Sequence, residues 1–212
     1  MGARLLVEVR AQGAPHREIY GTVIPTFKCP SDIRQYVTFH QLLLGQVALT
    51  GYLGVNGTNL RADNGVLYWN SAIRLADIID GLSNTLLAGE RPPNYNLDFG
   101  WWYNGTGQWD SSYNPTQIHH SGSCAVTLEL AEINIKGNGG SSPALLHCPD
   151  GPYAFAPGSI ANPCDQFHFW SLHAGGSNFL LCDGSVHFFA YTAAPVLTAM
   201  ATRARGEPVE IP

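Results

Sequence analysis

Charged residues are scarce in this sequence, because Asp, Glu, Lys and Arg together account for 13% of its 212 positions. That share is about half of what an ordinary soluble domain carries. The net charge is −5 and no basic stripe is present to neutralise phosphates, which argues against a nucleic-acid partner. No window approaches the roughly twenty consecutive apolar residues of a membrane helix, nor the apolar segment of a signal peptide. The sequence therefore predicts a chain with no membrane span.

Three motifs that identify common metal or hydrolase sites are also missing. The sequence has no Cys-x-x-Cys, so a zinc ribbon or a thioredoxin-like site has no support. It has no His-Glu-x-x-His, and no Gly-x-Ser-x-Gly marks a serine nucleophile. An enzyme is therefore expected only if the fold brings scattered residues together.

Glycine and proline, in contrast, are plentiful, with 23 and 14 copies. Combined with many Asn, Ser, Thr and aromatic residues, this composition predicts β-strands joined by long polar loops. The length suits one compact domain spanning residues 1–212, large enough for a real core.

The clearest local prediction is a β-hairpin near the C-terminus. Phe179–Cys182 and Val186–Phe189 are short apolar runs, and Asp183-Gly184 between them is the strongest signal for a two-residue hairpin turn. Nine residues separate His173 from Asp183. Elsewhere the pattern predicts a strand over Glu18–Phe27, a helix or a strand over Val37–Leu49, a loop over Tyr52–Asn64, a strand over Thr85–Gly89 and a helix over Ala194–Thr202.

Several segments of the sequence match motifs of one family. They are Phe27–Asp32 (F-x-C-P-S-D), Tyr52–Gly57 (Y-x-G-x-x-G), the run from Ile73 to Glu90 (similar to I-x-D-I-x-D-G-x-S-N-T-x-x-x-G-E), the His173 to Asp183-Gly184 spacing, and Ala201–Glu207 (similar to A-T-R-x-G-G-E, with Arg205 where glycine is usual). In order and spacing the chain resembles the planctomycete-type pseudopilin-like proteins of the DUF1559 family, whose C-terminal signature is called H-X9-DG. The motif residues are Cys29, Asp32, Asp80, Gly81, Asn84, Glu90, His173, Asp183 and Gly184.

The resemblance implies a fold and a function. The expected fold is an α+β, mainly antiparallel, pilin-like globular head with few short helices and long loops, in which residues 27–90 and 165–210 carry the motifs and residues 91–164 form a variable, loop-rich insert. The expected function is a structural or surface-display module of an extracellular or cell-envelope filament or secretion apparatus, with other subunits as partners. Family members usually begin with a prepilin-type apolar helix, whereas Met1–Tyr20 carries several charges, so we expect a head without that helix.

A cluster of oxygen-bearing side chains suggests a calcium site. Asp77, Asp80, Asn84 and Glu90 lie within fourteen positions and offer the hard ligands that calcium prefers, and pilin-like heads are known to hold calcium. Alternatively, Asp80-Gly81 forms a turn that Ser83 or Asn84 caps, and Glu90 pairs with an arginine such as Arg74 or Arg203. Both interpretations stay open at this point.

The histidines support a rival function of a different class. Six of them accompany four aspartates, namely His119, His120, His147, His168, His173 and His187 with Asp110, Asp150, Asp165 and Asp183. Such residues could hold a zinc ion or another divalent metal in a hydrolase acting on an ester, lactone or glycan, with His173 and Asp183 as ligands or acid/base groups. The alternative is that Asp183 serves the turn and His173 satisfies a loop.

Cysteines and aromatic residues complete the candidates. A disulfide between Cys148 and Cys164 would close a Pro- and Gly-rich loop and stabilise the fold by about 3 kcal/mol. Cys29 and Cys124 are candidates for a second pair, and Cys182 is expected to be a buried apolar residue. A set of aromatic rings could bind a polysaccharide or fill the core, and the core is favoured: Trp69, Trp101, Trp102, Tyr103, Trp109, Tyr113 and Trp170.

Overall fold

The structure is a computed structural model of the whole chain. It describes residues 19–41, 45–58, 63–68, 71–97, 100–102, 127–128, 148 and 153–206. Most of the predicted insert 91–164 lies outside these ranges.

Seven strands and one α-helix form the described framework. They are β1 (Thr38–Gln41), β2 (Gly45–Ala48), β3 (Tyr52–Val55), β4 (Leu86–Glu90), β5 (Thr127–Leu128), β6 (Gly176–Leu181), β7 (Val186–Ala190) and α1 (Ala194–Met200). Short 3-10 turns lie between them, at Pro25–Phe27, Ile33–Tyr36, Leu75–Asp77, Leu82–Asn84, Pro163–Phe167 and Tyr191–Ala193.

The strands form two sheets. Strands β1 and β2 make an antiparallel hairpin, and the other five make a sheet in the order β5-β3-β4-β6-β7. All its pairings are antiparallel except that of β3 with β5. The predicted α+β class with a mainly antiparallel sheet is therefore confirmed. In the described ranges, no helix has the length and apolar character to cross a membrane.

The predicted C-terminal hairpin is present, with a different turn. Leu180 pairs with Val186, and the N–H of Gly184 donates to the carbonyl of Leu181 at 3.0 Å. Gly184 has a φ of 89°, a left-handed conformation that suits glycine. The loop thus contains three residues and ends in a glycine bulge, not the two-residue turn expected from the Asp-Gly pair.

Other local predictions had mixed outcomes. The strand over Thr85–Gly89 is β4 and the helix over Ala194–Thr202 is α1, while the ambiguous Val37–Leu49 region forms the β1–β2 hairpin. The loop prediction for Tyr52–Asn64 was wrong at its start, because β3 is an interior strand of the five-stranded sheet and buries Leu53 and Val55. The strand prediction for Glu18–Phe27 was also wrong, because its described residues form helical turns and connecting loop.

The main hydrophobic core lies between the five-stranded sheet and α1. Five phenylalanine rings dominate it, and Phe179 on β6 contacts three of the other four at centroid distances of 5.4 to 5.9 Å. The other core residues come from the strands, the loops before β6 and the helix: Leu53, Val55, Leu86, Phe155, Phe167, Phe169, Leu181, Phe189, Ala193, Leu197, Met200 and Ala201. A smaller cluster of Tyr20, Val47, Leu49 and Trp101 packs beside β2.

The disulfide prediction is confirmed, since Cys148 and Cys164 are bonded with their Cα atoms 5.5 Å apart. Cys29 and Cys182 are free thiols, so the second pair proposed from the sequence does not form, and Cys124 lies outside the described residues. Burial and the nearby charge of Asp183 raise the pKa of the half-buried Cys182 to about 11.

The described tryptophans mostly fill the interior, as the core interpretation predicts. Trp101 and Trp170 are each 2% exposed. Trp102 lies beside Phe27, with ring centroids 6.1 Å apart, and its indole N–H donates to the carbonyl of Thr22. Consecutive residues of an extended chain point in opposite directions, which explains the difference between Trp101 and Trp102. The remaining predicted platform residues, Trp69, Tyr103, Trp109 and Tyr113, lie outside the described ranges.

Candidate metal centre

Three side chains from distant parts of the chain converge on one point. Nε2 of His173 lies 3.1 Å from Oε1 of Glu90 and 3.5 Å from Sγ of Cys29. One donor atom from each of the three residues lies within 4.8 Å of the other two. Among the described residues, this is the group of His, Cys, Asp and Glu side chains close enough together to share a metal ion.

The sheet places Glu90 at this point. Glu90 is the last residue of β4, where it pairs with Tyr52 of β3. On the other side of β4, Gly89 pairs with Phe179 of β6. A Cβ on Gly89 would collide with the rings of Phe179 and Phe169, so glycine at this position lets β4 pass close to the aromatic core.

The carboxylate of Glu90 is buried, and three hydrogen bonds hold one of its two oxygens. Its Oε2 accepts hydrogen bonds from the Ser177 hydroxyl at 3.2 Å, from the Asn178 backbone N–H at 2.7 Å and from the Asn178 side-chain amide at 3.1 Å. The residue is 2% exposed. Because Oε2 is held by β6, Oε1 is left facing His173.

Cys29 reaches the site on the loop after the first 3-10 turn. The N–H of Gly51, next to β3, donates to the carbonyl of Phe27 at 2.8 Å. The N–H of Cys29 donates to Oε1 of Gln35 at 2.9 Å. Burial raises the pKa of the Cys29 thiol, and the charge of Glu90 raises it further. The cysteine is thus fixed by backbone contacts and keeps its proton in the absence of a cation.

Asp32 organises the loop around Cys29. Its carboxylate accepts from Nε and Nη2 of Arg34 at 2.8 and 2.6 Å, from the Arg34 backbone N–H at 3.1 Å and from Nε2 of Gln35 at 3.2 Å. Arg34 also donates to the carbonyls of Pro93 and Asn94, just beyond β4. Burial alone would raise the pKa of Asp32, but the hydrogen bonds from Arg34 and Gln35 outweigh it and hold the pKa below its ordinary value. Asp32 therefore connects the cysteine loop to the strand that carries Glu90.

His173 lies in the turn that enters β6. Its backbone N–H donates to the hydroxyl of Ser171 at 3.0 Å, and that hydroxyl donates to the carbonyl of Gly176 at 2.7 Å. On the ring, Nδ1 lies 3.4 Å from the hydroxyl of Ser31. The His173 side chain is 31% exposed, whereas that of Glu90 is 3% exposed, so the site opens to solvent on the histidine side.

A fourth group lies close by. Burial raises the pKa of the Tyr52 phenol, and the neighbouring Glu90 and Cys29 raise it further. The phenol is therefore within electrostatic reach of both residues, on the strand that pairs with β4.

A model of the family described as "Protein of unknown function (DUF1559)" matches residues 3–195. The chain belongs to the DUF1559 family. No curated protein and no solved structure matches it at a significant level. The three residues that converge come from three of the motifs that carried the resemblance: Cys29 from F-x-C-P-S-D, Glu90 from the final G-E, and His173 from H-X9-DG.

The two named residues of the H-X9-DG motif do not meet. His173 precedes β6 and Asp183 follows it, so about 20 Å of strand separates them at roughly 3.3 Å per residue. Oδ1 of Asp183 accepts from the N–H and the hydroxyl of Ser185, which fits the turn role considered for it. The partner that the structure gives His173 is Glu90.

The residues of the proposed calcium set are likewise engaged separately. Asp77 accepts from the backbone and the guanidinium of Arg74. Asp80 accepts from the N–H groups of Arg205 and Gly206 near the C-terminus. Asn84 donates to the carbonyl of Asp80, as the turn interpretation predicts.

Within the described residues, Glu90 pairs with neither Arg74 nor Arg203, the arginines suggested for it from the sequence. Arg74 pairs with Asp77, Arg203 donates to the carbonyls of Asp63 and Gly65, and Glu90 lies beside His173. Of the four oxygen ligands in the calcium hypothesis, Glu90 is thus the one that lies beside Cys29 and His173.

Sequence reasoning missed Cys29 as a possible ligand, and missed Ser177 and Asn178 as partners of Glu90. The signal for Cys29 was its place in a family motif, but from the sequence it was considered only as a disulfide partner of Cys124. Nothing in the spacing of Ser177 and Asn178 marks them, because their role depends on the register of β4 with β6.

Proposed function

We propose that this chain is a pseudopilin-like structural module of an extracellular or cell-envelope filament or secretion apparatus. Membership of the DUF1559 family and the mainly antiparallel sheet with a short helix support this assignment. The observation that carries it is the exposed apolar face of the outer strand β7.

Strand β7 presents an apolar face at the rim of the sheet. It is the last strand of the five in the described part of the chain. Val186 and Phe188 point away from the core and are 63% and 53% exposed. Phe189 of the same strand points into the core and is buried. Rim strands that end a sheet offer both main-chain hydrogen-bonding groups and side chains to another chain. A neighbouring protein subunit is the occupant that fits this face.

The disulfide supports an exported location. Disulfides form and persist in oxidising compartments and are rare in the cytosol. The bond between Cys148 and Cys164 is therefore consistent with a protein that works outside the cytoplasm.

Photo-crosslinking in the producing cell tests this proposal. A photoreactive amino acid at position 188 should give covalent products with a neighbouring subunit in the envelope or extracellular fraction. The same residue at position 75, which is also exposed and apolar at Leu75 (67%) but lies away from β7, is the matched control. A protein confined to the cytosol, or equal crosslinking from both positions, would contradict the proposal.

A second candidate is a metal-dependent hydrolase acting on an ester, lactone or glycan. The observation that favours it is the contact of the partly exposed His173 with the buried Glu90 and Cys29. Turnover of such substrates that stops with a chelator, and stops in His173→Gln but not in Asp183→Asn, would favour this candidate over the structural one.

A further inference from the structure

We infer that Cys29, Glu90 and His173 bind one transition-metal ion of the zinc class. The inference concerns binding and holds for either function proposed above. It depends on the distances between the donor atoms, on the single ring nitrogen that they share, and on the residues that orient Glu90 and His173.

The distances match the edges of a tetrahedral metal site. With Zn–S of about 2.3 Å and Zn–N of about 2.0–2.1 Å, ligand atoms at a tetrahedral angle lie about 3.6 Å apart for sulfur and nitrogen, and about 3.4 Å apart for nitrogen and oxygen. The observed separations are 3.5 Å from His173 to Cys29 and 3.1 Å from His173 to Glu90. The third separation, between Cys29 and Glu90, is at most 4.8 Å, so an ion that contacts all three atoms requires the cysteine and carboxylate side chains to move by no more than about 1 Å toward each other.

The shared nitrogen argues against a catalytic relay. In a Cys-His-Glu relay, one ring nitrogen contacts the thiol and the other contacts the carboxylate. Here Nε2 of His173 faces both Cys29 and Glu90. One nitrogen has either one hydrogen or one lone pair to offer. A cation placed along the Nε2 lone pair would satisfy the sulfur and the carboxylate at the same time.

Glu90 and His173 also have partners that orient them. Nδ1 of His173 faces the hydroxyl of Ser31 at 3.4 Å, and this hydroxyl can accept the Nδ1–H when the other nitrogen binds metal. Oε2 of Glu90 is held by Ser177 and Asn178, leaving Oε1 available. This second layer of hydrogen bonds fixes both ligands without using their coordinating atoms.

The donor types select the metal. Sulfur and imidazole nitrogen suit zinc and its neighbours, whereas calcium and magnesium require oxygen ligands. The partial exposure of His173 supplies an entry path and space for a fourth ligand, such as water. The site is therefore distinct from the calcium cluster expected around Asp80.

Metal analysis and cobalt spectroscopy of the purified, disulfide-intact protein test this inference. Zinc content is measured first, and the metal is then removed with a chelator and replaced by Co²⁺. One Co²⁺ per chain should give visible bands typical of four-coordination and a sulfur-to-cobalt band in the near ultraviolet, and Zn²⁺ should displace it. Cys29→Ser should lose the near-ultraviolet band, and His173→Gln and Glu90→Gln should each bind at least tenfold more weakly.

Matched controls separate the site from general effects. Cys182→Ser removes the other free thiol among the described residues, and His187→Gln removes a histidine on β7; both should bind like the unaltered protein. Ser31→Ala leaves all three ligands in place and should weaken binding by about tenfold, so a test remains if a ligand variant does not fold. Absence of a cobalt spectrum in excess metal, or a near-ultraviolet band that persists in Cys29→Ser, would overturn the inference.

Discussion

Replacing Asp32 with asparagine should reveal how strongly the cysteine loop is anchored. The substitution keeps the shape of the side chain but removes its charge and puts an NH₂ group where an oxygen was. At Oδ2, the carboxylate now accepts from Nη2 of Arg34 at 2.6 Å and from Nε2 of Gln35 at 3.2 Å. In the variant, the new NH₂ group would face the N–H donors of Arg34 and Gln35 at this position. Oδ1 could still accept from Arg34.

The expected loss of stability follows from those two contacts. A hydrogen bond to a charged group contributes about 1.5–3 kcal/mol, so losing two costs about 3–6 kcal/mol. The Arg34 side chain is 20% exposed and can regain some hydration, which reduces the expected loss to about 2–4 kcal/mol. For a protein of this size, a loss of about 3 kcal/mol lowers the Tm by roughly 6–12 °C.

The loss should also depend on pH. The pKa of Asp32 is lower in the folded protein than its ordinary value, so its ionised form stabilises the fold. This contribution is fully present above the unfolded pKa of about 3.9 and disappears as the pH falls through the folded pKa. The stability difference between the two proteins should thus be constant near neutrality and shrink below about pH 4.

Chemical denaturation followed by circular dichroism measures both effects. Asp77→Asn is the matched control, because Asp77 makes a similar pair with Arg74 at the surface, and it should stay close to the unaltered protein. A double-mutant cycle with Arg34→Met should show a coupling of at least about 1 kcal/mol. A loss in Asp32→Asn no larger than that of the control, or one that grows as the pH falls, would refute the reasoning.

Three further outcomes are expected. Replacing both Cys148 and Cys164 with serine should lower the free energy of unfolding by about 3 kcal/mol, measured by denaturation; an unchanged midpoint would contradict a stabilising role for this bond. Gly89→Ala should cost about 1–3 kcal/mol, because its methyl group would meet the ring of Phe179; a neutral result in the same assay would show that β4 can shift. Zn²⁺ at a hundred times its Kd should raise stability by about 2.7 kcal/mol, reversibly with a chelator; no change in the thermal midpoint would argue against a metal bound only by the folded chain.

Local structure was predictable where a short-range signal determines it. The Asp183-Gly184 pair between two apolar runs predicted the β6–β7 hairpin, and the apolar spacing after Ala194 predicted α1. The turn length was less predictable, because Asp-Gly suits both a two-residue turn and the bulged three-residue loop that forms here.

Strand β3 was missed because its position in the sheet overrides its local sequence. Glycine and asparagine near Tyr52 are typical of loops. The segment is nevertheless an interior strand, with β4 on one side and β5 on the other, and Gly54 pairs with Ala88 and Thr127 across the two pairings. Contacts made by distant strands, and not intrinsic preference, hold this segment extended.

The candidate site was predictable in its parts and not in its assembly. Cys29, Glu90 and His173 were each singled out by a motif, but 61 positions separate the first two and 83 separate the last two. Their meeting requires β4 to lie between β3 and β6, which no local pattern specifies. The separation of His173 from Asp183, in contrast, follows from the strand predicted between them.

The length of the chain between His173 and Asp183 is constrained by the strand that it contains. The nine residues in between comprise the turn that carries the histidine, all of β6 and the first residue of the hairpin loop. Since side chains alternate along a strand, inserting or deleting one residue within β6 would turn Phe179 or Leu181 away from the core, or move the histidine away from Glu90. Insertions in exposed loops away from the strands carry no such penalty, so length variation should be tolerated in those loops and selected against within this interval.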